Sequence, residues 1–557
     1  MKIFLRIILL VVLLAVAAIG GYFFIDTNTE NQDLLAFVPD DFIYLIESDR
    51  PVGDWQDLSK TQVWQELKAT PFFADITESA DYLDSLLNAN QTLVDFIELG
   101  DLLISAHMVS RQDYEFVFLV DLLGKGRKLA KIPGLMSEVF EGIGYEVSKK
   151  TYIGTTLFSL YDKEYDETLT MTVMGNVMIA SYKESLVKKA IQQSGNPSIT
   201  ENLDYFAVKE KTDDNNLYSV YFNFGLLDRY MGAYTTETPE MMEGIGEIVS
   251  YAGWDLDITD EEIVFEGVVN PVDSVPSFLN VFKDVGKGKI KAPEVLPKET
   301  AMFTSIGFDD FSDFYQRFSN HYQLTDPEGF ADLQKNQRRL EKLLKLEIER
   351  DLFGWMTDEI VTAVVPTDAA ATRYSYYAML HFDDYELAKE RLDYMGEKLR
   401  KRTPVKFKEV DYRGYSIKYL DLKGFFKLFF KKFFSKIEQP HFALIDDYVV
   451  FTNDTTSLQR MVDAYLDQEV LAQDEAYEDF ADHFDDSSNI FTYLNNTNLF
   501  HYLSSTLDYE ARKGLQENRA YLTSFPQVGF QLYPGSGMYK TYLYGEFLPD
   551  GIRLSRR

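Results

Sequence analysis

From Leu35 onward the chain repeats itself, and a fold written twice can only be built twice. Val38-Pro39, in FVPDDFIYLIES, returns as Leu296-Pro297, in VLPKETAMFTSI. YEFVFLV (Tyr114–Val120) returns as YSYYAML (Tyr374–Leu380). GNVMIASYKESLVKKAI (Gly175–Ile191) returns as DDYVVFTNDTTSLQRMV (Asp446–Val462). The offset between copies drifts from about 258 to about 278 residues, as insertions accumulating after a duplication would make it.

Ahead of the repeat stands a different kind of segment. Ile7 to Ile25 carries no charge over 19 residues, about 28 Å as a helix, enough to span a bilayer core. Lys2 and Arg6 precede it, and Asp26, Glu30 and Asp33 follow, which orients the N-terminus to the cytoplasm. A cleaved signal peptide is the competing reading. Ala15 and Ala17 offer a small-x-small site, but Tyr22-Phe23-Phe24-Ile25 prolongs the apolar run beyond it, so an uncleaved anchor is expected.

The 557 residues carry 55 Lys+Arg against 89 Asp+Glu, a net −34. That field repels nucleic acid and holds the body away from an anionic membrane surface. With no cysteine in the chain, disulfides, thiolate metal sites and Cys nucleophiles are excluded.

Both copies read alike as α+β. A strand (Phe42–Glu47; Ala301–Ile306) leads to helical segments, the clearest being Asp332–Arg350 with Leu340, Leu343, Leu344 and Leu346 near one face. A hairpin follows (Leu102–Val109 with Tyr114–Asp121; Ile360–Val365 with Tyr374–Phe382), then a helix (Arg127–Glu141; Tyr385–Arg400). Two short strand pairs precede a helix opened by a capping signal, Ser181-x-x-Glu184 or Asp454-Thr455-Thr456-Ser457. A strand (Leu217–Phe224; Ile490–Asn495) and a hairpin (Trp254–Val269; Val528–Phe547) close each copy. Helices interrupting runs of adjacent strands predict a mostly antiparallel sheet with helices packed on it. Pro271, Pro276, Pro293 and Pro297 bracket GKGKIKAP as a connection. The expected organisation is therefore a transmembrane signal-anchor helix with its cytoplasmic tip (1–25), a juxtamembrane segment (26–34), repeat unit 1 (35–275), a linker (276–295) and repeat unit 2 (296–557).

The anchor, the Leu/Val-Pro opening followed by charged residues, and the strand-then-helix signature YVVFTNDTTSLQRMV resemble a bacterial family of single-pass, membrane-anchored envelope proteins. That family is known only as a domain of unknown function. The resemblance implies an inner-membrane protein whose bulk lies in the periplasm or extracytoplasmic space, and it carries no mechanism.

Two copies of a catalyst that both stayed active would share their polar residues. The coincidences are Pro39/Pro297, Asp101/Asp358, Gly154/Gly414, Asp162/Asp421 and Gly267/Gly545, types that shape turns and strand entries. Twin sites at the Asp pairs are the sharper alternative. No pair among the six histidines has His-x-x-x-His spacing, and there is neither an HExxH nor a G-x-S-x-G motif. Leu123–Lys128 lacks the full phosphate-loop pattern, and the acidic run Asp474–Asp486 around His483 lacks the ligand ladder of a calcium loop. No catalytic residue, cofactor or metal ligand is assigned.

One segment departs from the acidic background, the Phe/Lys-rich insertion 423–437. Phe425, Phe426, Lys427, Phe429, Phe430, Lys431, Lys432, Phe433, Phe434 and Lys436 form an amphipathic pattern suited to a membrane interface or a hydrophobic partner. Packing of the Phe face onto the second sheet is the alternative. The sequence as a whole predicts a non-catalytic binding or scaffold protein of the envelope. Its partners would be the membrane, through the N-terminal helix, and an envelope protein or lipid. A carrier of a hydrophobic ligand and an enzyme of unrecognised type are the alternatives.

Overall fold

The computed structural model describes residues 32–68, 100–121, 145–231, 249–272, 277–368, 373–402, 407–420, 434–507 and 512–548, apart from 112, 164–165, 213–215, 435, 439, 514 and 517–518. The expected anchor, the Arg127–Glu141 helix and the loop Leu123–Lys128 lie outside these residues. Among the described residues no helix is long and apolar enough to cross a membrane. The chain divides into two compact units, Met1–Val272 and Asp273–Arg557.

The first unit contains β1 (Phe42–Ser48), β2 (Leu102–Met108), β3 (Tyr114–Asp121), β4 (Tyr145–Tyr152), β5 (Thr155–Asp162), β6 (Glu167–Met174), β7 (Val177–Ser181), β8 (Tyr218–Asn223), β9 (Val249–Ile258) and β10 (Glu262–Pro271). They form one antiparallel sheet in the order β4-β5-β6-β7-β3-β2-β1-β8-β9-β10. The second unit contains β11 (Gly288–Lys289), β12 (Met302–Gly307), β13 (Glu359–Pro366), β14 (Tyr374–His381), β15 (Phe407–Tyr412), β16 (Tyr415–Leu420), β17 (His441–Ile445), β18 (Tyr448–Thr452), β19 (Ser487–Ser488), β20 (Ile490–Asn495), β21 (Gln527–Pro534) and β22 (Tyr539–Glu546). Its sheet runs β15-β16-β17-β18-β14-β13-β12-β20-β21-β22, with β11 and β19 pairing as a separate ribbon. The two orders match strand for strand, so each unit is the same antiparallel α+β fold.

Shared local chemistry makes the shared fold. Ile153-Gly154 and Arg413-Gly414 both adopt positive φ (46° and 77°; 52° and 89°), the paired left-handed geometry of a tight hairpin turn. The central strands are buried on both faces. In the first unit one face packs Ile43, Ile104, Phe116, Phe118 and Leu160 together. In the second, Ile306, Ile360, Leu380, Phe442 and Phe451 pack with the helices Phe311–Thr325 and Tyr385–Arg402. On the opposite face the Tyr377 hydroxyl donates to Ser457 O, at the start of the helix Thr455–Leu466.

Several local expectations are corrected. The long helix covers Pro327–Leu344, capped by Asp326 and ended by Lys345 at φ 55°. Leu346 is buried beyond that end and Leu343 is exposed, so the leucine pattern ran across a break. Asp454 caps its helix through Ser457 N (2.8 Å), but Ser181 does not cap the helix Glu184–Gln193. Its hydroxyl donates to Phe116 O within the sheet. The stretch 276–295 is not a free linker where described. Val281, Phe282, Val285, Ala292 and Val295 are buried, and Gly288 is required because a Cβ there would strike Asp358 O. At the other boundary Gln32 and Asp33 already belong to the first unit: Gln32 N donates to Asn176 Oδ1 (2.7 Å), and Asp33 caps a 3-10 turn, Leu34–Phe37.

Candidate functional site

The matching sheets permit a comparison by hydrogen-bond register, which is stricter than matching letters. Leu45 pairs with Ser105 as Phe303 pairs with Ala363, and Leu102 pairs with Val120 as Ile360 pairs with Leu380. Glu47 therefore corresponds to Ser305, Asp121 to His381 and Val177 to Tyr448. One residue before β2, Asp101 corresponds to Glu359 and not to Asp358. The Asp101/Asp358 coincidence was an artefact of an offset wrong by one. Asp33 corresponds to Lys291, each being the N-cap of a 3-10 turn that leads into the repeated Val/Leu-Pro motif.

In the second unit these positions form a closed polar network. Glu359 is fully buried and accepts from Ser305 Oγ, Tyr448 OH and Lys291 N. Burial raises its carboxyl pKa, against the pull of the hydrogen bonds from Ser305 and Tyr448. His381, also buried, places Nδ1 2.6 Å from Asp358 Oδ1 and Nε2 3.1 Å from Lys291 Nζ. Lys291 Nζ lies 3.6 Å from Asp358 Oδ2. Burial opposes ionisation of Asp358, but the hydrogen bond from His381 and the charge of Lys291 outweigh it and hold its pKa below the usual value. Each charge has a partner of the opposite kind, the condition under which buried ions are tolerated.

In the first unit the same place is a cavity of about 410 Å³. Its acids are Asp33, Glu47, Asp49, Asp101 and Asp121, with Lys209 as the one ammonium. Leu34, Leu35, Leu102 and Leu103 supply apolar wall. Ser219 lines it too, where the second unit has Phe491 packed on Phe484 at 5.1 Å. Asp121 accepts from Asn176 Nδ2 at 2.7 Å, and Lys209 pairs with Glu47. Burial lowers the Lys209 pKa, but Glu47 and Tyr221 outweigh it and leave the ammonium above its ordinary value. The lining is therefore an array of carboxylates with one internal counter-charge.

A second polar chain mimics a hydrolase relay. Ser105 Oγ lies 2.9 Å from His107 Nε2, and His107 Nδ1 lies 3.1 Å from Asp41 Oδ1. Both Ser105 and His107 are 0% exposed, and neither lines the cavity. Their register counterparts are Ala363 and Val365, so a substrate has no route to the hydroxyl and the second copy fills the place with hydrocarbon. The chain ties β2 to the turn before β1.

The residues singled out in the sequence fall elsewhere. Phe434 is buried in the second unit's core, so it is not offered to lipid or partner. Lys436 is exposed, with Nζ 5.7 Å from the centre of the Tyr376 ring. Phe425, Phe426, Lys427, Phe429, Phe430, Lys431, Lys432 and Phe433 lie outside the described residues. In the acidic run, Asp474 caps the helix Glu475–Ala481 and His483 stacks on Tyr544. Among the described residues no three His, Asp or Glu side chains converge on a metal-sized point. Asp33, Glu47, Asp49, Asp121 and Lys209 carried no motif. The signal available for them was the exchange of Lys291 for Asp33 at one capping position.

The family described as protein of unknown function (DUF3352) matches residues 135–380 and 368–525, more than half of the chain, and the chain belongs to it. The two matched regions accord with a duplicated domain. No curated protein matches significantly. Solved structures of TP0453 in crystal forms III, IV and I align over 46, 43 and 45% of this chain and 86, 81 and 83% of theirs. Identity is 11, 11 and 12% and the TM-scores are 0.25, 0.24 and 0.24, too low to carry an argument.

Proposed function

We propose that this chain is a non-catalytic binding protein tethered to the outer face of a bacterial plasma membrane, with its first unit as the ligand-binding module and its second as a closed scaffold. One observation carries the binding reading. A single place in a duplicated fold is filled by the protein's own charged network in one copy and left as a small-ligand-sized cavity in the other. The tether is supported by the uncharged run Ile7–Ile25 with Lys2 and Arg6 before it. A hydrophobic-ligand carrier is less well supported, because five carboxylates share the cavity wall and would lose hydration against a hydrocarbon.

The chain has no cysteine, so an introduced one reports alone. In the folded full chain, Ser219→Cys, on the cavity wall, is expected to react with a small methanethiosulfonate at least tenfold faster than Ser105→Cys, which is fully buried. Equal protection at both positions would overturn the binding reading. Protease added outside spheroplasts is expected to digest the bulk of the chain, and full protection would overturn the orientation.

A further inference from the structure

Resting on the reading of that cavity as a binding site, we propose that its ligand is an aliphatic di- or polyamine, held where the second unit carries its own lysine ammonium. In the second unit the Lys291 side chain delivers an ammonium to His381 Nε2 and Asp358, beside Glu359. The first unit keeps acidic groups at this place, Asp101 for Glu359 and Asp121 for His381, and replaces the cation itself by Asp33. It also removes bulk, with Val177 for Tyr448 and Ser219 for Phe491. The cation has been taken out of the chain, and the room and the acceptors for one from solution remain.

The wall selects among cations. A hard divalent ion needs about six oxygens converging within roughly 2.6 Å, and no such convergence exists among the described residues. The acids are instead spaced by Leu34, Leu35, Leu102 and Leu103, which suits ammonium groups separated by methylene segments. Lys209 is committed to Glu47, which leaves the Asp33, Asp101 and Asp121 side for the ligand. The Tyr205 hydroxyl, fully buried and with no hydrogen-bond partner, is near enough to feel the charges of Glu47 and Asp33. It is an unfilled polar position at the same site.

The test is calorimetric titration of the full chain in detergent with spermidine, 1,4-diaminobutane and magnesium chloride. One saturable site is expected for spermidine, weaker for the diamine and absent for magnesium. Asp33→Lys, which recreates the second unit's internal ammonium, is expected to weaken spermidine at least tenfold. Asp101→Asn, which leaves the Asp33 cap intact, is expected to weaken it several-fold. Glu261→Lys, in the exposed β9–β10 turn, makes the same charge change as Asp33→Lys and is expected to leave the affinity unchanged. Equal weakening by Glu261→Lys would overturn the proposal in favour of diffuse attraction to an acidic surface, as would magnesium competing at equal concentration. Absence of spermidine binding in protein whose Ser219→Cys variant is modified would overturn the amine assignment and leave the binding reading standing.

Discussion

Tyr448→Phe tests the closed network of the second unit. Glu359 is buried beneath three donors, Ser305 Oγ, Tyr448 OH and Lys291 N, the last at 3.2 Å. Phenylalanine keeps the ring and its edge contact with His381 (5.1 Å between centroids), so almost no cavity opens and the loss is that of one hydrogen bond. A bond to a charged group contributes roughly 1.5–3 kcal/mol, and a neutral one about 1 kcal/mol. The sign of the pH dependence follows from the raised pKa of Glu359. A carboxyl that keeps its proton longer in the folded state contributes stability that is full below the unfolded value and is lost as pH rises through the folded value. Removing Tyr448 withdraws support from the ionised form. The cost of the substitution should therefore grow with pH, from about 1 kcal/mol below pH 4.5 to about 2 kcal/mol once Glu359 ionises. The larger figure corresponds to a fall in melting temperature of about 5 °C for a unit of this size. Hydrogen exchange of the β13 and β18 amides at acid and neutral pH isolates this unit from the first. A cost that is absent, or equal at both pH values, would refute an ionising Glu359 held by these donors.

Asp41→Asn should destabilise the first unit by about 1 kcal/mol at neutral pH, a figure discounted because Asp41 is 43% exposed. The hydrogen bond from His107 chiefly, helped by Lys189 and opposed by burial, depresses the Asp41 pKa. Its contribution is present above the unfolded value near 3.8 and is lost as pH falls through the folded value, so urea midpoints of variant and parent should converge in acid. Phe434→Ala should cost roughly 3–5 kcal/mol by chemical denaturation, as for a large core side chain. A stable Phe434→Ala protein that has lost vesicle binding would instead restore the membrane-contact reading of that residue.

The fold was legible because its signals are local and repeated. Apolar strands, the Gly154 and Gly414 turns and the Asp454 cap each follow from a few neighbouring residues. Helix ends were less legible. Leu346 continues a helical stripe that the backbone has already left at Lys345, since burial selects leucine on either side of a break. The linker reading failed because Gly288 resembles a flexible residue in sequence, whereas in space it lets two backbones approach closely. The site was nearly illegible. Asp33, Glu47 and Asp121 stand far apart in the chain and gather only through the pairing of β1, β2 and β3. Comparing letters at a fixed offset then matched Asp101 with the wrong residue by a single step, and a single step turns a strand residue to the other face.

Register also explains why the two copies diverged together at several positions. A buried carboxylate is tolerated only with donors or a counter-ion, as Glu359 and Asp358 have in Ser305, Tyr448, Lys291 and His381. Exchanging the lysine for Asp33 in such a closed core would place like charges together without hydration, at a cost of several kcal/mol per ion. The acid lining of the first unit is therefore compatible with the fold only if water or a cation reaches it. Small residues at Val177 and Ser219 supply that access. On this argument the cavity and its charge are a single feature. Putting back the bulk alone, with Ser219→Phe, should destabilise the first unit unless Asp33→Lys accompanies it, and a double-mutant cycle on unfolding free energy measures that coupling. Additivity of the two substitutions would separate cavity from charge and remove the reason for reading them as one site.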